Sequence, residues 1–356
     1  MKAGFLGDEI WLILEYIGDI IKWVNDLQAG REIMSDKIDE NKPERLRDIS
    51  WEVAVFGGFN LYTGDYIYPL SHYTSPEGYM GIVGDDGIHL WFTQYDCVND
   101  ASEGVYILEV YKQVCNDLLH QNKISEEFHK AIIDIRPDNK EVFAYDSGDS
   151  IRGFKSKDTQ YYICCFSEEN DSLAMWNYYL KNATYHGYSL EFDWDILSQV
   201  SNFDSKKNYK LNFVKVLYEY KSQFEVLERY VTRCYQSSNE ENGVEQTRHI
   251  LETLLNQCKL VFKNPCFAHE KEIRTILTVA QDKTDDFIKK TVLYRTGRGY
   301  IIPYIDFTFT EKELLRYVTV APLKDQELAE STVKSFLNSR GYTQTNVTSS
   351  KVPIRF

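Results

Sequence analysis

The chain has 356 residues, 43% apolar and 14% aromatic, with 26 Tyr and 19 Phe, so it can bury enough surface to offset its ordering entropy, and disorder is excluded. Its formal charge of −14 disfavours loose, counterion-driven association with nucleic acid or anionic membrane. The longest apolar runs, such as Ile10 to Leu14, fall far short of the ~20 residues of a membrane span, and the N-terminus lacks the order of regions expected of a signal peptide.

Residues 5–27 place apolar groups at 10, 13, 14, 17, 20, 21 and 24, which is amphipathic helical spacing; this segment either packs on its own domain or docks a partner protein or a second copy. The polar stretch 34–48 leads from it into the body. The expected organisation is an N-terminal amphipathic helical segment over 1–50 and a single domain over 51–356. Strands are expected at 66–74, 89–94, 161–167, 187–193, 212–219, 272–279, 299–309, 317–322 and 344–350. Helices are expected at 101–120, 125–134, 172–181, 222–236, 244–261 and 326–339, the last punctuated by Pro322 and Gly341. Strands cluster without a regular βαβ alternation. The expected fold class is therefore α+β, a mixed or antiparallel central sheet flanked by helices, with an N-terminal helical extension. Neither G-x-G-x-x-G nor G-x-x-x-x-G-K occurs. Seven scattered cysteines without a C-x-x-C pair fit reduced thiols and a cytoplasmic location. Cys164 and Cys165, adjacent in a strand, are expected on opposite faces.

Four spots carry more polar chemistry than packing needs. Ser71-His72-Tyr73-Thr74 closes the first strand, and Pro76 should start a helix. Asn99-Asp100 with Glu103 reads first as a helix cap. In 166–193, Phe166-Ser167 closes a strand, Asp171 or Ser172 caps a helix, and Trp176 and Tyr179 fall on adjacent turns of it, where a flat ligand can stack. The fourth is Phe267 to Arg274. If it is a strand, Glu270, Glu272 and Arg274 share one face, and two carboxylates with a guanidinium can polarise a sugar hydroxyl or stabilise an oxocarbenium-like centre. The alternatives are a solvated face of cross-strand ion pairs, or a metal-dependent nuclease, which Lys271, pointing to the opposite face, weakens.

These motifs occur in a fixed order: L-x-H-Y-T-S (70–75), L-W-F-T with N-D-x-x-E (90–103), C-F-S (165–167), M-W-x-x-Y and H-G-x-x-L-E-F (175–192), V-x-Y (216–218), F-K-x-x-x-F-x-x-E-x-E-x-R (262–274), I-I-P-Y (301–304), V-A-P (320–322) and S-x-V-P-x-R (350–355). In that order they resemble the domain of unknown function 2971 family of bacterial, often defence-associated proteins. The resemblance runs over about 60–356 and departs at Ala321, where Gly is expected. More loosely, the H-Y-T strand followed by a helix, and a later E-x-E strand, look like ADP-ribosyltransferase folds. That likeness implies NAD as substrate without a metal. It implies His72, with Tyr73 or Thr74, at the ribose and amide end, and Ser167 in support. Glu272 or Glu270 would be catalytic, and Arg274, Arg295 or Arg298 would hold the pyrophosphate. The implied function is a toxin-like or anti-phage transferase acting on an RNA or protein acceptor. The contrasting class is a non-catalytic sensor or interaction module of a defence system.

Overall fold

In the computed structural model the described residues are 45–46, 49, 53, 70–98, 105–137, 140–146, 151–179, 186–199, 209–239, 243–280, 291–297 and 299–353. The chain divides into two compact units, Met1–Arg45 and Leu46–Phe356. The second unit carries the sheet and the helices that flank it. The amphipathic segment 5–27 and the Asn99–Glu103 motif lie outside the described residues.

The strands are β1 (Leu70–Thr74), β2 (Ile88–Gln94), β3 (Lys140–Asp146), β4 (Ile151–Ser167), β5 (Tyr188–Phe192), β6 (Tyr209–Lys215), β7 (Glu272–Ala280), β8 (Val292–Gly297), β9 (Tyr300–Phe309), β10 (Leu315–Val320) and β11 (Asn346–Ser349). The helices are α1 (Pro76–Ile82), α2 (Tyr106–His120), α3 (Glu126–Ile132), α4 (Leu173–Tyr179), α5 (Trp194–Gln199), α6 (Tyr220–Ser237), α7 (Gly243–Val261) and α8 (Gln326–Ser339). Pro76 does open a helix: Ser75 caps it, its hydroxyl accepting from Gly78 N at 3.2 Å. Among the described residues no helix is long and apolar enough to cross a membrane.

The architecture is α+β, with eleven strands in a mixed sheet: β10 and β11 pair in parallel, and the other ladders are antiparallel. The organising strand is β4. One edge pairs with β7 throughout Thr159–Ser167, and β6 lies beyond β7. The opposite edge is shared. β1 meets it only at Ser71↔Ser167, and β2 only at Thr93↔Ile163 and Gln94↔Tyr162. Between those contacts the two strands part. β1 continues into β5, β10 and β11, while β2 continues into β9 and β8.

Alternation along β4 sorts its side chains into two cores. Tyr162, Cys164 and Phe166 pack with Ile273, Leu277 and Val279, and α1 fills the parting between β1 and β2 from this side with Tyr79 and Ile82. Tyr161 and Ile163 pack with Val214 and Ile276 beneath α2, α3, α6 and α7, and Cys165 leans on this second core. The vicinal cysteines thus separate to the two faces as expected, and all seven cysteines are free thiols. Each fully buried Leu, Ile or Phe contributes roughly 1.5–3 kcal/mol.

Candidate functional site

Four charged side chains converge at the start of β7. The chain leaves α7 at Val261 and reaches Lys263. It then turns through a 3-10 segment, Pro265–Glu270, started by Pro265 and by Asn264, whose side chain accepts from Cys266 N. Lys271 adopts a left-handed conformation (φ 43°) that redirects the backbone into β7 at Glu272. This fold-back brings the Lys263 ammonium 2.7 Å from Glu270 Oε2 and 2.9 Å from Glu272 Oε2. Arg274 donates from Nε to Glu272 Oε1 at 2.7 Å, from Nη2 to Oε2 at 3.3 Å, and from Nη1 to the Leu260 carbonyl at 2.8 Å. All four residues are buried, Arg274 and Glu272 at 1% and 3% exposure.

The expectation that Glu270, Glu272 and Arg274 share one strand face holds for the last two. Glu270 belongs to the 3-10 segment, and it joins the cluster because the left-handed turn at Lys271 folds it back. Lys271 itself pairs with Glu169. The cation held between the two carboxylates is the Lys263 ammonium, and among the described residues no group of three or more His, Cys, Asp or Glu is placed to hold a metal.

The two carboxylates differ. Burial alone would raise Glu272, but the charges of Arg274 and then Lys263 hold it down at about 2, helped by hydrogen bonds from Arg274 and Cys165. Glu270 moves the other way: burial pushes it up, and Lys263 only partly offsets that. Both oxygens of Glu272 are occupied. In Glu270 only Oε2 is, and Oε1 accepts no hydrogen bond among the described residues.

Several expected residues meet this cluster on the same sheet face. Ser167 lies opposite Glu272, donates to the Glu270 carbonyl at 2.7 Å, and accepts from Glu169 N at 3.1 Å. Tyr179 feels burial first and then both glutamates, which push its hydroxyl well above the usual tyrosine range. Tyr73 packs edge-on against Trp176 at 4.7 Å and lies 6.4 Å from Tyr179; its hydroxyl donates to the Glu169 carbonyl and accepts from Ser172 N. Trp176 is itself core, fully buried with Tyr73, Met175 and Ala321.

Others lie elsewhere. Alternation along β1 sends His72 and Thr74 to the opposite face from Tyr73. There His72 packs edge-on to Phe166 and its Nδ1 bonds the Cys165 carbonyl at 2.9 Å, at the point where β1 leaves β4. Burial lowers its basicity, partly offset by that carbonyl. His72 and Glu272 therefore do not face a common space. Arg298 lies outside the described residues.

Lys263, Tyr218, Asn170, Asp171 and Glu191 complete the region; Lys263, Tyr218 and Glu191 stand inside the sequence motifs, which by themselves assign them no site role. Tyr218 accepts from Glu272 N at 3.1 Å. The motif F-K-x-x-x-F-x-x-E-x-E-x-R already holds Lys263 with the two acids and Arg274, but a Pro and a bend between them leave the contact itself unmarked. The loop after β4 is ordered by side chains. Asn170 Oδ1 accepts from Ser189 and Thr319, while Asp171 accepts from the Trp176 indole N–H, the Ser350 hydroxyl and Lys351 N.

Residues 175–275 match the family model described as "Protein of unknown function (DUF2971)". That span takes in Trp176, Tyr179, Glu191 and the whole Lys263–Glu270–Glu272–Arg274 cluster, and leaves β1 and Ser167 outside. No curated protein and no solved structure matches the chain. The chain is thus similar to the DUF2971 family over residues 175–275, in agreement with the resemblance of its motifs.

Proposed function

We propose that the chain cleaves the N-glycosidic bond of NAD and transfers ADP-ribose to an RNA or protein acceptor. One observation carries this reading: two neighbouring buried carboxylates share the Lys263 ammonium and split in their bonding, both oxygens of Glu272 being held and only Oε2 of Glu270, while Arg274 lowers Glu272 and burial raises Glu270. Such a split suits glycosyl chemistry, in which one carboxylate stays charged and the other takes up a proton. Glu272, saturated by Arg274 and Lys263, is the fixed charge that stabilises a cationic transition state. Glu270, with one oxygen uncommitted, is the base. As the C1′–N bond breaks, its electron pair leaves with neutral nicotinamide. The acceptor oxygen bonds C1′, and its proton passes to Glu270. Ser167 positions Glu270 through the backbone carbonyl, and Tyr73 and Tyr179 supply an aromatic wall. His72, on the other face, acts by holding the parting of β1 from β4. The role as a toxin-like or anti-phage effector rests on the family resemblance alone.

The test is incubation with adenylate-labelled NAD and total RNA or cell lysate, for wild type beside Glu270→Gln, with folding checked by circular dichroism. Label on an acceptor with wild type, reduced ~10²-fold or more in the variant, is the expected result. Free ADP-ribose alone would make the enzyme a hydrolase of the same bond. Intact NAD with folded protein would refute the reading.

A second reading, a non-catalytic interaction module, is favoured by the corner formed by β8 and β9. There Tyr294 and Ile301 are 67% and 66% exposed, beside exposed Leu293, Tyr300 and Trp91. Under it, Glu270→Gln leaves the activity in cells unchanged.

A further inference from the structure

The sheet face that carries Glu272 continues away from it as a row of polar side chains. Glu272 lies opposite Ser167, Ser167 opposite Ser71, Ser71 opposite Glu191, and Glu191 opposite Tyr317. Directly opposed residues on neighbouring strands bring their Cβ atoms to about 4.5–5.5 Å, so these groups form one continuous strip. Most hydroxyls near this strip are satisfied: Ser167 by the Glu270 carbonyl and Glu169 N, Ser189 and Thr319 by Asn170.

Ser71 is different. It is 1% exposed, and its Oγ has no hydrogen-bond partner among the described residues. A buried hydroxyl without a partner costs stability, and such groups in folded chains call for an explanation. On one side of it lies the half-buried Glu191, whose Oε2 accepts from Asn170 Nδ2 at a long 3.3 Å. The Asn170 amide is oriented by Ser189 and Thr319, which occupy its oxygen and leave its nitrogen toward Glu191. Side by side, then, stand a carboxylate, an oriented amide N–H and an unpartnered hydroxyl. A carboxylate that accepts from adjacent sugar hydroxyls is a recurring means of ribose recognition, and an amide N–H and a serine hydroxyl complete it as donors.

We infer that Ser71, Asn170 and Glu191 form a subsite for the vicinal hydroxyls of a ribose, with Ser71 two strands and Glu191 three strands away from Glu272. The identity of the ligand as a nucleotide sugar rests on the glycosyl-transfer reading. The unpartnered state of Ser71 does not.

Calorimetric titration with ADP-ribose, and with nicotinamide as the probe lacking ribose, tests this on wild type, Ser71→Ala and Glu191→Gln. Wild type should bind ADP-ribose and not nicotinamide at this subsite, and each variant should weaken ADP-ribose at least tenfold. Without ligand, Ser71→Ala should melt at or slightly above wild type, since it discards only an unpartnered hydroxyl. Equal affinity in Ser71→Ala, no ADP-ribose binding by wild type, or a lowered ligand-free melting temperature in Ser71→Ala would each overturn the subsite. ADP-ribose binding that depends on Ser71, without NAD turnover, would overturn the catalytic reading and keep the subsite. Turnover with unchanged Ser71→Ala affinity would do the reverse.

Discussion

A carboxylate as deeply buried as that of Glu272 stays ionised because Arg274 and Lys263 reach it with three hydrogen bonds between them. Removing its charge leaves two buried cations against Glu270 alone. Glu272→Gln should therefore cost about 3–5 kcal/mol in denaturant unfolding. The pH dependence has a definite sign. Glu272 titrates near 2 when folded and near 4.5 otherwise. Its contribution is present above pH 4.5 and is lost as pH falls from there toward 2. The stability gap between wild type and Glu272→Gln should thus narrow below pH 4.5; a gap that stays constant to about pH 3 would contradict the ion-pair assignment. Glu270, shifted upward, has the opposite sign and loses its contribution as pH rises above 4.5. The two glutamates and Arg274 are visible in the sequence, because E-x-E-x-R is an unusual density of charge next to Ile273 and Leu277. Lys263 stands in the same motif, but its contact with them is not legible from spacing. Its approach depends on a 3-10 turn and a left-handed residue, neither of which periodicity reveals.

At the scale of elements, the loop between β4 and α4 is held by contacts from distant parts of the chain. Asp171 joins Trp176 in α4 to Ser350 and Lys351 near the C-terminus, while Val352 packs against the small core of Tyr73, Met175 and Trp176. Asp171→Asn keeps one acceptor oxygen and turns an N–H toward at least one of the three donors, Lys351 N if the oxygen keeps the place of Oδ1. It should lower the melting temperature by about 2–5 °C and speed proteolytic removal of the C-terminal segment. Unchanged proteolysis would mean that Asp171 does not anchor that segment. The helical expectations are closest where apolar periodicity runs over many turns, as in 244–261 against α7 at Gly243–Val261 and 326–339 against α8. β3, β8 and the short helix α5 carry no comparable sequence signal. β8 shows weak alternation because its side chains are partly exposed on both faces, and the six residues of α5 are too few to establish a period. The sequence allows either Asp171 or Ser172 as the cap of α4, whereas in the structure Asp171 commits its oxygens to tertiary contacts.

Across the whole second unit, the shared edge of β4 decides what can act together. Because β1 meets β4 at one residue pair and then departs, Tyr73 shares a face with the glutamates while His72 is carried to the other. The fold class is legible from the irregular order of strand and helix signals. The separation of His72 from Glu272 is not, since it follows from the register of one strand pair formed by residues 96 positions apart in the chain (71 and 167). The same register aligns Glu272, Ser167, Ser71 and Glu191 in one strip, the feature on which the proposed ligand binding stands. The most direct test of the central claim is the rate of nicotinamide release from NAD by wild type and Glu270→Gln between about pH 4 and pH 9. Release by wild type should fall on the acid side as Glu270, raised above 4.5, takes up its proton, and release by the variant should be ~10²-fold slower or worse with that acid limb gone. Release of equal rate and equal pH dependence in the two proteins, or none in either while both are folded, would contradict it.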